Sequence, residues 1–131
     1  MKKILLVDDE ADVCNFMMRF FEERNFEAFS ATSGNEALRI LEKDRPDIIL
    51  LDIKMKDRDG MEILKEIKNI NKDAKVVMVT CVDDTEAMKR AKDLGAAAYI
   101  TKPLVLSDLM EIVLRNLSRS RSFFSFRRNL K

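Results

Sequence analysis

The chain has no histidine among its 131 residues. Catalysis by a Ser-His or Cys-His pair is therefore excluded, and proton or phosphoryl chemistry must run on Asp, Glu, Lys, Ser or Thr. Cysteine is scarce as well. Cys14 and Cys81 are the only two and have no short metal-ligand spacing. They read as free, buried thiols of a reducing compartment. Long apolar runs are missing. The run IILL at 48–51 is strand-length, far from the ~20 residues that cross a bilayer. The N-terminal stretch MKKILLVDDE has two lysines, but its apolar run of four meets three acids at once, which argues against a signal peptide. No repeat of fixed sequence is found, and no low-complexity segment before residue 118.

Acid is missing from the last fourteen residues. Segment 118–131, SRSRSFFSFRRNLK, holds Arg119, Arg121, Arg127, Arg128 and Lys131. Its charge is +5 against +1 for the whole chain, so residues 1–117 carry −4. An acidic body with a basic tail divides the chain into a domain, 1–117, and a tail, 118–131. The tail is expected to be a disordered end or a truncated linker. Its functional alternative is an anion-binding or partner-docking segment, with Phe123, Phe124 and Phe126 beside the arginines.

What is present is enough for one self-sufficient core, at 47% apolar and 36% charged residues. Short apolar runs alternate with longer stretches of helical period. Strands are expected over 3–7, 27–31, 48–52, 75–80 and 98–101. Helices are expected over about 10–24, from Ser33 to about 44, and over 61–69, 84–94 and 106–117. Ser33 stands three residues before Glu36, a capping-box spacing, and Gly95 is a natural helix stop. Five strand–helix repeats with near-continuous apolar strands imply a parallel sheet covered on both faces.

In such a sheet chemistry collects at the carboxyl ends of the strands. Asp8, Asp9 and Glu10 follow strand one, and Asp52 ends strand three. Thr80 ends strand four, and Thr101, Lys102 and Pro103 follow strand five. If strands one and three are neighbours, their carboxylates converge. At ~5 Å and an effective dielectric of ~20 each pair repels by roughly 3 kcal/mol, so the cluster either needs a cation or shifts its pKa values upward. Oxygen-only donors suit a hard ion, and Mg2+ is the natural choice. Lys102 adds an ammonium and Thr80 a hydroxyl. Together they suit an anion with several oxygens, such as a phosphoryl group. Asp52 is then either a metal ligand only or the acceptor of that group as well. An aspartate after a strand is common in turns, and acids often open helices; the whole set at one end of the sheet is what carries the chemical reading.

The segments VDDE at 7–10, LLDIKM at 50–55, DG at 59–60, VT at 79–80, LGA at 94–96 and YITKP at 99–103 resemble the receiver domain of bacterial two-component response regulators. The likeness runs in order over about residues 3–117. It implies an α/β, flavodoxin-like three-layer α/β/α sandwich with five helices and a five-stranded parallel sheet in order 2-1-3-4-5. It implies that Asp52 accepts a phosphoryl group from a sensor histidine kinase or phosphotransfer protein, as in a phosphorelay. Asp9 would bind Mg2+ directly and Asp8 mainly through a water, with Asp52 and the backbone carbonyl of Lys54 as further ligands. Lys102 and Thr80 would pair with phosphoryl oxygens. Lys102–Pro103 would be a cis peptide. Thr80 and Tyr99 would form the switch, Tyr99 following Thr80 inward on activation, and the helix 4–strand 5–helix 5 surface would change for an output partner. The resemblance also implies a cytoplasmic signalling module that assists only its own phosphoryl transfer, with homodimerisation on phosphorylation as one outcome. No direct nucleic-acid contact by the body and no membrane association are expected.

Some positions depart from the family pattern. Lys56 stands where proline often follows the methionine of DxxMP. Cys81 replaces a smaller residue after the threonine. Lys54 and Val82 occupy positions that tune dephosphorylation, and Val82 cannot hold an attacking water, so loss of phosphate is expected to be slow. Two rivals are a pseudo-receiver that only binds a partner and a Mg2+-dependent phosphohydrolase. The intact acids with Thr80 and Lys102 speak against the first. The second usually carries another aspartate two residues after its nucleophile, where this chain has Lys54.

Overall fold

The computed structural model describes residues 1–82 and 84–118 and the backbone of 124–126. The expected disorder of the tail falls, for 119–123 and 127–131, outside the described residues. The elements are β1 (Lys2–Val7), α1 (Ala11–Glu22), β2 (Phe26–Ala31), α2 (Gly34–Asp44), β3 (Ile48–Leu51), α3 (Gly60–Ile70), β4 (Val76–Thr80), α4 (Thr85–Asp93), β5 (Ala98–Thr101), α5 (Leu106–Leu117) and β6 (Phe124–Phe126).

The helix starts follow their capping chemistry. Ser33 Oγ accepts from the Glu36 N–H, Asp59 from Met61, and Asp84 from Glu86. The Glu36 carboxylate reaches back to the Thr32 N–H at 3.0 Å, one residue before the usual partner of a capping box. At its far end α2 stops on Arg45, left-handed at φ 49°, and Pro46 follows. Gly95, at φ 99°, takes the left-handed turn after α4.

The strands pair in parallel in the order β2-β1-β3-β4-β5-β6. The flavodoxin-like order 2-1-3-4-5 with five helices is as expected, and β6 is an addition to it. Alternation along each strand splits the core in two. Leu5, Val7, Ile49, Leu51, Val76, Met78 and Tyr99 point to the side covered by α2, α3 and α4. Ile4, Leu6, Ile48, Leu50, Val77, Val79 and Ile100 point to the side covered by α1 and α5. On α5, Leu109, Ile112 and Val113 are wholly buried, each contributing roughly 2 kcal/mol of transfer free energy.

Because β3 lies between β1 and β4, and β4 beside β5, four strand ends meet. Val7 aligns with Leu51, and Thr80 aligns with Thr101. The sixth strand pairs Ala98 with Phe124, Tyr99 with Ser125 and Ile100 with Phe126. Three residues are too few for a periodic signal, and the edge of β5 supplies the pairing groups. Among the described residues no helix is long and apolar enough to cross a membrane.

Candidate functional site

Asp8 and Asp52 each sit one step beyond a strand, where the ladder releases the chain. Asp8 follows β1 and donates its N–H to Ala31 O at 3.1 Å. Asp52 follows β3 and donates its N–H to Val7 O at 3.1 Å. Those two bonds aim both side chains into one recess. Asp8 and Asp52 are 7% and 8% exposed, so neither is solvated freely.

Lys102 answers them. Its Nζ lies 3.0 Å from Asp8 Oδ2 and 3.3 Å from Asp52 Oδ2. Burial by itself pulls this ammonium down from its ordinary value. The hydrogen bond it donates to Asp8 and the charges of Asp52 and Asp8 outweigh burial, and the net effect raises it. The remaining carboxylate oxygens face backbone donors. Asp8 Oδ1 accepts from Glu10 N at 3.0 Å, and Asp52 Oδ1 from Lys54 N at 3.3 Å. Asp9 Oδ2 accepts from Lys56 N at 3.0 Å. Lys54 also bridges to Asp59 across the loop that follows β3. The peptide bond between Lys102 and Pro103 is cis.

Thr80 is fully buried at the end of β4, and its Oγ1 accepts from Val82 N at 3.2 Å. Tyr99 is also fully buried, and its hydroxyl donates to Val82 O at 2.5 Å. The ring lies inside, and the two side chains meet at Val82, Thr80 at its N–H and Tyr99 at its carbonyl.

Three contributors were not legible as site residues in the sequence. Gly60 is one: a Cβ there would stand 2.2 Å from Asp52 O and 2.6 Å from Ile53 Cα. The start of α3 therefore rests directly on the Asp52 backbone. Its signal was the Asp59–Gly60 pair. Asp57 is another. Its carboxylate accepts from Gly34 N at 3.1 Å, tying the β3–α3 loop to the start of α2. Cys14 is the third, with Sγ 3.3 Å from Asp8 O. Burial, and then the Asp8 charge, push its thiol up to about 11. Cys81, expected to be buried, is instead exposed, one residue past the end of β4.

The donor set fits a hard divalent cation in kind. Asp8, Asp9 and Asp52 offer oxygen only, at one end of the sheet, and two of them already share a positive group. Among the described residues no three His, Cys, Asp or Glu side chains are drawn into a metal-ligand cluster; the Lys102 ammonium stands between two of the three carboxylates instead.

Comparison with known proteins agrees with this fold. The family model of the response regulator receiver domain matches residues 4–114. The sporulation initiation phosphotransferase F of Bacillus subtilis is 34% identical over 116 residues, covering 88% of this chain and 94% of that protein. The chemotaxis protein CheY of Halobacterium salinarum is 37% identical over 112 residues, covering 86% and 93%. Among solved structures, the response regulator protein TrrA of Thermotoga maritima, in complex with Mg2+-BeF, superposes with a TM-score of 0.80 at 30% identity, covering 88% of this chain and 99% of that one. The fold, the paired acids, the lysine beyond β5 and a family match over most of the length converge: the chain belongs to the response regulator receiver domain family of two-component signalling.

Proposed function

We propose that this receiver takes a phosphoryl group on Asp52 and passes the change to the α4–β5–α5 surface. The observation that carries the reading is the single ammonium of Lys102 shared by Asp8 and Asp52, both more than nine-tenths buried. Asp52 Oδ attacks the phosphorus of a phosphohistidine. The new O–P bond forms as the donor's N–P bond breaks, and the imidazole keeps the bonding pair. The phosphoryl group carries a charge of about −1.5 to −2 where the carboxylate carried −1, and brings three acceptor oxygens. Lys102 turns from Asp52 to one of those oxygens, and the Thr80 hydroxyl donates to another. Asp8, Asp9, Asp52 and the Lys54 carbonyl would hold Mg2+. When bound, the ion offsets the negative charge gathered at the acids. The relative in complex with Mg2+-BeF supports that assignment by family.

Thr80 and Tyr99 form the switch. Moving the Thr80 hydroxyl toward the phosphoryl group loosens its hold on the Val82 N–H, and the Val82 carbonyl is where the Tyr99 hydroxyl is bound. The loop after β4 and the ring inside β5 are thereby one two-state element, biased by charge at Asp52. The donor is a histidine kinase or phosphotransfer protein, the site of action is the cytoplasm, and residues 1–117 are the receiver domain. The module's own chemistry ends with its phosphoryl transfer. Incubation with acetyl phosphate and Mg2+ tests this. The reading predicts one phosphoryl group per chain and little free phosphate beyond one equivalent. No uptake would make the chain a pseudo-receiver, and sustained release of many equivalents would make it a phosphohydrolase.

A further inference from the structure

The outer edge of β5 is where a five-stranded receiver sheet would stop. In this chain it is covered by the chain's own tail. β6 runs parallel to β5 with Ser125 opposite Tyr99. On its other side Tyr99 aligns with Met78 of β4. The backbone of the buried tyrosine is thus held from both edges, and β5 continues directly into Lys102.

The route of the tail to that edge is also built in. The Lys75 ammonium donates to the carbonyls of Asn116 and, at 3.2 Å, of Ser118, just where α5 ends. Asn116 is buried, and its Nδ2 donates to Ile112 O at 2.9 Å. These bonds fix the exit of the chain, and the five residues 119–123 span at most about 18 Å to β6. A parallel strand needs such a crossover, and α5 supplies it.

We infer that Phe124–Phe126 is an intramolecular edge strand that holds β5 in the arrangement with Tyr99 inward, so that tail docking and modification of Asp52 strengthen each other. The inference rests on the reading of Asp52 and Tyr99 given above. β6 is docked while the ring is buried and its hydroxyl is bound to Val82. If modification of Asp52 favours the same arrangement, each event raises the equilibrium constant of the other by one common factor. The basic segment 118–131 is then more than a linker. Its strand closes the β5 edge to any other strand while it is docked.

Backbone hydrogen exchange on the full chain tests this. Lys102 N–H donates to Thr80 O at 2.7 Å, so strand alternation aims the N–H groups of Ile100 and Ala98 at β4 and those of Tyr99 and Thr101 at the outer edge. The inference expects Tyr99 and Thr101 to be protected in the wild type. It expects them to exchange at least about tenfold faster in the double variant Ser125→Pro/Phe126→Pro, which removes a ladder donor whichever way β6 is turned. Unchanged protection in β1 and β3 certifies that the variant is folded. With Mg2+ and beryllofluoride, protection at Tyr99 and Thr101 is expected to rise in the wild type. The double variant is expected to bind beryllofluoride at least about threefold more weakly. Equal exchange at these amides in wild type and variant, or equal beryllofluoride affinity, overturns the inference. If the wild type fails to bind beryllofluoride at all, the phosphoryl reading of Asp52 falls and the coupling falls with it. Slow exchange at Tyr99 and Thr101 would then still report the docked strand.

Discussion

The backbone N–H of Lys56 donates to Asp9 Oδ2 at 3.0 Å, and it does so at the position where proline is common in the family that this chain resembles. Proline has no N–H to give. The substitution Lys56→Pro frees Asp9 from a hydrogen bond worth about 1 kcal/mol. Magnesium binding, followed by calorimetry on the unphosphorylated protein, is expected to tighten by about fivefold. Weaker binding in the variant would show that the bond prepares Asp9 for the ion rather than restraining it.

Gly60 carries a second prediction. An added Cβ meets the backbone of Asp52 and Ile53, which cannot swing aside as a side chain does. Gly60→Ala is expected to cost at least about 2 kcal/mol in denaturant unfolding and to disturb the Asp52 amide resonance. At Gly34 the nearest atom is the Ile63 Cδ1 side-chain tip, at 2.7 Å. Gly34→Ala is therefore expected to cost less. Equal losses at the two sites would contradict the close-approach argument.

Lys102 gives a pH-dependent prediction. Burial lowers its ammonium, but Asp8 and Asp52 outweigh burial and raise it above the ordinary 10.5. A raised folded-state value means that the stabilisation is complete below the unfolded value and fades as pH climbs through the folded one. Lys102→Met is expected to lower stability by about 2 kcal/mol near neutrality in metal-free buffer. The gap to the wild type should hold steady up to about 10.5 and narrow above it. A gap that widens with alkali would reverse the sign of the coupling.

The two thiols should differ sharply under alkylation. The Cys14 thiol is buried and pushed up to about 11, so at pH 8 only roughly one molecule in a thousand carries the thiolate. Cys81 is exposed at the end of β4. Iodoacetamide is expected to label Cys81 first and Cys14 only on unfolding, as read by peptide mass. Early labelling of Cys14 in the folded chain would mean that the recess beside Asp8 opens readily.

The sequence made some of this legible because certain signals are local. Strand-length apolar runs ended in Asp52 and Thr80, and a parallel sheet brings such ends together whatever the loops do. Lys102 could be placed for the same reason, one residue past a strand. Lys56, Asp57 and Cys14 were not legible as contacts, because each acts through a backbone atom whose direction is set by tertiary packing. Gly60 showed its turn but not its neighbour. The inward ring of Tyr99 depends on the Val82 carbonyl, in a loop with no period of its own. β6 escaped notice because three residues cannot display a repeat, and its pairing partner lies 26 residues back in the sequence.

The central claim is that one carboxylate, Asp52, receives the phosphoryl group. Intact-mass measurement after incubation with acetyl phosphate and Mg2+ tests it most directly, on the wild type beside Asp52→Asn. The account predicts one added phosphoryl group on the wild type and none on the variant. A phosphoryl adduct of equal yield on Asp52→Asn, or none on the wild type, would contradict it.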